Sequence, residues 1–372
     1  MRKIEIIEIE NSFLNFFTPA VLVAISYFFF NIIGWYSLFF LHLLEINSFK
    51  IDLNLAKLLI YNAFLGTTCF SLYYLFIYHP RLKVRDAEFI EVKKFSFYVA
   101  FSFFFLLILS ETVLTALYEG LFGNLDPTVT TLLRLEILLD NPAYLFLFLI
   151  YDGILSVVFI EIVYRRALIP MLEDRGLSPF FAVILSALGD SFINLPGYVL
   201  SPNHPENIYF FCLSIAIGLC AGLIYISTRN IIFPIISVSC FQIFTTLRLI
   251  GVQELKLIFE SLYILFLVVG LGIILFLVFE IFHPIRSPNW IRIIKKRSSP
   301  FIMRGLIGFF IISLGLLAIQ TIVAKIGRII FIPEPGEYFP GYFIYISIFY
   351  AIAFTIPFFL TITTEWAKHP AN

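Results

Sequence analysis

The sequence predicts an all-α, polytopic helical membrane protein with about ten transmembrane helices. Three observations carry that reading. Of 372 residues, 60% are hydrophobic and only 13% charged, where a soluble domain carries roughly 25% charged residues. The mean hydropathy is +0.96, and Phe alone fills 46 positions. The apolar residues also come in runs of bilayer-crossing length. One aqueous core cannot hide that much apolar surface, so lipid must be the solvent for most of it.

Taken in order, the runs predict spans near 13–43, 53–79, 95–121, 142–172, 179–200, 207–228, 230–251, 255–283, 301–326 and 341–363. The first run is longer than a signal-peptide core and ends in no small-residue cleavage site, so it is expected to be a retained helix. The fourth is long enough to tilt or kink. The fifth is interrupted by Gly189, Asp190, Asn194 and Pro196. The chain is expected to divide into N-terminal transmembrane helices over 1–139, a helical core over 140–251 and C-terminal transmembrane helices over 252–372.

Basic residues set the expected orientation. Most of the 25 Lys and Arg lie at the termini, between spans two and three, after span four, between six and seven, and between eight and nine. An even number of spans puts all of these on one side. The expectation is an integral protein of the cytoplasmic (inner) membrane with both termini cytoplasmic. Net charge is zero, so no nucleic-acid footprint is indicated. Cys69, Cys212, Cys220 and Cys240 sit inside apolar runs and read as small buried hydrophobes.

Polar residues at bilayer depth are costly and mark either function or a structural lock. They concentrate between residues 152 and 246, while Glu111 and Glu260 stand apart. Glu161 and Arg165 are four apart, so they share a helix face and can pair. Ser186, Asp190 and Asn194 form a second stripe at helical spacing. Two stripes facing one another would gather two carboxylates, a guanidinium and an amide in one polar pocket. The competing reading is a salt bridge that locks the fourth helix. His42, His79, His204, His283 and His369 all lie near span ends or in loops. No cofactor and no metal is expected, and no HExxH or GxSxG pattern occurs.

Three segments in order, FIEIVYRRALIPML at 159–172, ILSALGDSFINLPGY at 184–198 and GLCAGLIYISTRNIIFPIISVSCFQ at 218–242, resemble the CPBP family of intramembrane proteases (CAAX-processing and bacteriocin-processing enzymes, also called the Abi family). The resemblance spans roughly 140–250. Its gap-free register puts Tyr164, Arg165 and Pro170 on the family's aromatic, Arg and Pro. It puts Gly218, Gly222, Tyr225, Thr228 and Pro234 on further framework positions. The Gly218/Gly222 pair is expected to let two helices approach closely.

The resemblance implies a base and oxyanion-contacting groups that this chain lacks. The family's first Glu, which activates the attacking water, falls on Ile160, and its second falls on Glu161. The Phe and His of the second motif fall on Asp190 and Asn194. The His and the Asn or Asp of the last motif fall on Val238 and Gln242, and the Gly after the Arg is Arg166. A shift of one residue would make Glu161 the first Glu but lose the aromatic, Arg and Pro matches, and would recover no histidine.

Three functions follow as expectations. The first is a protease framework without activity that binds membrane lipids, a transmembrane helix or a membrane-protein partner; there, loss of Asp190 is expected to spare partner binding while loss of Glu161 or Arg165 disrupts folding. The second is an endopeptidase with a rearranged site drawn from Glu161, Arg165, Asp190, Asn194 and Gln242. The third is a transporter or a membrane subunit of a larger assembly.

Overall fold

A computed structural model describes residues 19–20, 22–23, 94–123, 145–146, 149–192, 206–250, 256–282, 311, 315 and 318. The described residues are helical with short connections and include no strand. Three helices are long and apolar enough to cross a membrane: Ser96–Phe122, Ile208–Thr228 and Leu257–Phe276. Shorter apolar helices cover Pro179–Ser191 and Ile232–Arg248. The expected spans near 13–43, 53–79, 301–326 and 341–363 lie outside the described residues apart from single helical positions.

The chain separates into two compact units. The larger comprises Asp86–Ile169 and Pro179–Lys296. Its long helices are α1 (Lys94–Phe122), α4 (Pro179–Ser191), α5 (Glu206–Thr228), α6 (Ile232–Ile250) and α7 (Lys256–Phe282). Between α1 and α4 runs a composite helix. A π segment (Tyr151–Leu155) leads into α2 (Ser156–Glu161), a second π segment (Ile162–Leu168) follows, and α3 (Ile169–Asp174) finishes it. The sequence predicts one continuous span there, and the π windings are the departure. Pro170 has no N–H to contribute to the helical ladder, and the turns just before it are wound wider. π windings of this kind recur at functional sites.

Within this unit α5 lies between α4 and α1, while α6 and α7 also pack on α1. The centre is an apolar cluster of Phe104, Leu107, Ile108, Val157, Ala221, Val238, Phe241 and Phe244. Rings at Phe104, Phe244 and Phe266 meet with centroids 5.0–6.4 Å apart, the separation at which aromatic pairs attract. The outward side of α7 exposes Leu257, Ile264, Leu265, Val268 and Leu275, interrupted near its start by Glu260 and Ser261. Such a surface is at home only against hydrocarbon or further helices.

Several hydroxyls inside the helices satisfy themselves locally, as lipid favours. Ser110 and Thr112 donate to the carbonyls of Leu106 and Ile108, each at 2.8 Å. Thr228 does the same to Ile224 at 2.8 Å. It thereby closes α5, where Arg229 turns the chain with φ 53°. Asn230 Oδ1 then accepts the Ile232 N–H at 2.9 Å, an Asx turn that starts α6. The framework residue Thr228 thus shapes the α5–α6 corner. Cys240 departs from expectation: it is exposed, because it lies on the outward side of α6.

The second unit comprises Met1–Arg85, Pro170–Ser178 and Arg297–Asn372, of which few residues are described. In its central piece the helix ends at Gly176. The Gly176 N–H bonds the Glu173 carbonyl at 2.9 Å and the Leu177 N–H bonds that of Leu172 at 3.2 Å. This pairing requires a left-handed residue, and Gly176 has φ 88°.

Candidate functional site

The two polar stripes face each other. α2 ends at Glu161, and Arg165 follows inside the second π segment. Arg165 Nε stands 3.2 Å from Glu161 Oε2, an ion pair without hydrogen-bond alignment. Arg165 Nη1 donates to Asp190 Oδ2 on α4 at 2.8 Å. Ser186, one turn before Asp190, donates through Oγ to the Tyr164 carbonyl at 2.7 Å. The stripe read from α4 therefore grips the π segment at two successive turns.

All three charged groups are out of solvent: Arg165 is 0% exposed, Glu161 1% and Asp190 8%. An unpaired charge at such depth would be very costly, so the carboxylates and the guanidinium hold one another in place. The third guanidinium nitrogen, Nη2, has no hydrogen-bond partner. It rests against Gly218 of α5, where a Cβ would lie 3.3 Å from it. The same Cβ would lie 2.8 Å from the Ala187 Cα, and one on Gly222 would lie 2.7 Å from Val183 Cγ1. The close helix approach expected of this glycine pair is present, and it also forms the floor beneath Arg165.

Of the five expected site residues, the structure joins Glu161, Arg165 and Asp190. Asn194 lies outside the described residues. Gln242 is on α6, and its Oε1 is buried without a hydrogen-bond partner. No described hydrogen bond or ion pair ties it to the charged triad. Ile160 is partly buried on α2. Val238 is buried in the apolar cluster beside Val157 and Ala221. The five histidines lie outside the described residues. Among the described residues no group of three His, Cys, Asp or Glu side chains is gathered as a metal would need.

The sequence reading left Glu111 and Glu260 isolated, and here the structure differs. Glu260 on α7 lies 4.0 Å from Arg248 of α6, and Glu111 of α1 is the sequence neighbour of Thr112, whose hydroxyl bonds the Tyr263 that faces Arg248. No spacing in the sequence reveals this second cluster, because its members come from separate helices.

An all-helical unit with bilayer-length apolar helices and a buried ionic triad defines a polytopic integral membrane protein. The sequence model of the family described as Type II CAAX prenyl endopeptidase Rce1-like matches residues 142–244. That segment, a minority of the chain, is similar to this family and contains α2, α3, α4, α5 and most of α6. No curated protein and no solved structure matches the chain.

Proposed function

We propose that this protein is a catalytically inactive member of its family, a membrane-embedded binding subunit that holds a transmembrane helix, a lipid or a partner protein against the 142–244 helices. One observation carries the reading. Val238, the position at which the resemblance implies a catalytic histidine, is an apolar side chain within a fully apolar cluster. Peptide hydrolysis needs a positioned base near the water and donors aimed at the developing oxyanion. Ile160 and Val238 supply neither. Asp190, the nearest alternative base, is engaged with Arg165 at 2.8 Å.

In this reading the ionic triad is a structural lock. The bias of Lys and Arg supports insertion in the cytoplasmic membrane with both termini on the cytoplasmic side. The test is a cleavage assay with the purified, reconstituted full chain and a panel of prenylated and transmembrane peptides. No turnover is expected. Turnover that is lost in Glu161→Gln would overturn the proposal.

A second reading, an endopeptidase with a rearranged site, draws support from the unsatisfied polar atoms. Arg165 Nη2 and Gln242 Oε1 are buried without hydrogen-bond partners, and both are suited to a bound peptide, the first as donor and the second as acceptor. The same assay separates the two.

A further inference from the structure

A second polar site lies where α5 and α7 begin and α6 ends. Four helices contribute to it. Thr115 of α1 shares a hydrogen bond with the Tyr209 hydroxyl of α5 at 3.2 Å. Thr112, one turn earlier on α1, shares another with the Tyr263 hydroxyl of α7 at 2.5 Å. The Arg248 guanidinium carbon from α6 lies over the Tyr263 ring, 3.6 Å from its centroid. Tyr263 is thus fixed at its hydroxyl and presents its face to the arginine. A guanidinium held in this way has its orientation set before any ligand arrives.

The charges around it are incompletely matched. Arg248 Nε stands 4.0 Å from Glu260 Oε1, beyond hydrogen-bond length. The terminal nitrogens of Arg248 make no hydrogen bond among the described residues. Glu111, next to Thr112 on α1, has a buried Oε2 without a hydrogen-bond partner. The site therefore offers a guanidinium fork beside the half-exposed carboxylate of Glu260. Arg248 is 27% exposed and Glu260 50%, so the group is open on one side. Tyr209, Arg248 and Glu260 lie within about two turns of the ends of α5, α6 and α7, the depth at which lipid headgroups meet a helical bundle, while Glu111 lies near the middle of α1.

We propose that this cluster is a binding site for the headgroup of a phosphoethanolamine lipid. The Arg248 fork takes two phosphate oxygens, the geometry that guanidinium groups favour. The ammonium supplies N–H donors to Glu260. A purely anionic headgroup would bring no positive charge for that carboxylate. A choline headgroup carries the positive charge but no N–H to give. Only a headgroup with both a phosphate and a primary ammonium satisfies both halves of the site. None of these residues belongs to the Glu161–Arg165–Asp190 triad, so the inference stands or falls apart from the peptidase question.

The test uses the purified full chain, exposed to an equimolar mixture of phosphatidylethanolamine, phosphatidylglycerol and phosphatidylcholine with identical acyl chains. Retained lipid is read by native mass spectrometry. The expected result is retention of phosphatidylethanolamine about tenfold above either competitor, the size of one charge-assisted hydrogen bond. Arg248→Lys, which keeps the charge and loses the fork, and Glu260→Gln are each expected to remove that preference in a protein that remains folded, as thermal unfolding reads. Equal retention of the three lipids overturns the proposal, as does a preference for phosphatidylglycerol or phosphatidylcholine. A phosphatidylethanolamine preference that survives in both variants overturns it too. The wild-type ranking decides the matter should either variant fail to fold.

Discussion

Arg165 donates through Nη1 to Asp190 Oδ2 at 2.8 Å, across 25 residues of sequence. That bond ties the π-wound part of the composite helix to α4, and Glu161 shares the same guanidinium at 3.2 Å. On sequence grounds Asp190 is the dispensable member. Its bond to a fully buried arginine makes it part of the lock.

Arg165→Ala is expected to destabilise the protein by about 3–5 kcal/mol, because it strands two buried carboxylates. Asp190→Ala should come close to it. A triple change, Glu161→Leu with Arg165→Met and Asp190→Leu, removes the charges together and is expected to be more stable than either single variant. Thermal unfolding in detergent ranks the four proteins. A wild-type midpoint for Arg165→Ala would show that the triad does not hold the helices.

Gly218→Ala and Gly222→Ala should differ although they lie one turn apart. A Cβ at Gly218 meets the Ala187 backbone at 2.8 Å, and backbone cannot step aside without moving α4. A Cβ at Gly222 meets Val183 Cγ1 at 2.7 Å and Cγ2 at 3.1 Å, side-chain atoms that shift at less cost than backbone. Overpacking costs about 1–3 kcal/mol, with Gly218→Ala at the upper end. Equal midpoints for the two variants would contradict the close α4–α5 contact.

Val238→His puts an imidazole among Val157, Ala221 and Phe241. A loss of about 1–3 kcal/mol is expected for burying a polar group without a partner, with no gain of peptide cleavage. Combining it with Ile160→Glu should not rescue activity. Cleavage by the double variant would mean that the catalytic geometry persists beneath the substitutions.

Tyr263 serves two neighbours, and its variants separate them. Tyr263→Phe loses the bond to the Thr112 hydroxyl and should cost about 1 kcal/mol, with the ring still beneath Arg248. Tyr263→Leu removes the ring as well and should cost a further 0.5–1 kcal/mol or about that. If both variants melt together, the stacking at 3.6 Å adds nothing to stability.

The sequence by itself determined the solvent of this protein, its helical class and the polar residues of its central segment. Composition decides the solvent, because a chain that is 60% hydrophobic and 13% charged can satisfy its backbone in lipid only through helices or closed barrels, and the length of the apolar runs decides for helices. Helical spacing made the Glu161–Arg165 and Ser186–Asp190 stripes legible, and the Gly218/Gly222 pair announced a close helix contact. Tertiary structure alone decided that the stripes meet, that Gly218 floors the arginine and that Val238 is sealed in an apolar cluster. It also assembled Glu111, Tyr209, Arg248 and Tyr263 from four helices. The physical reason is the uniform hydropathy of membrane helices. Both the lipid-facing and the protein-facing sides are apolar, so periodicity does not say which side packs on which neighbour. Only the packed helices reveal where the few polar groups find one another.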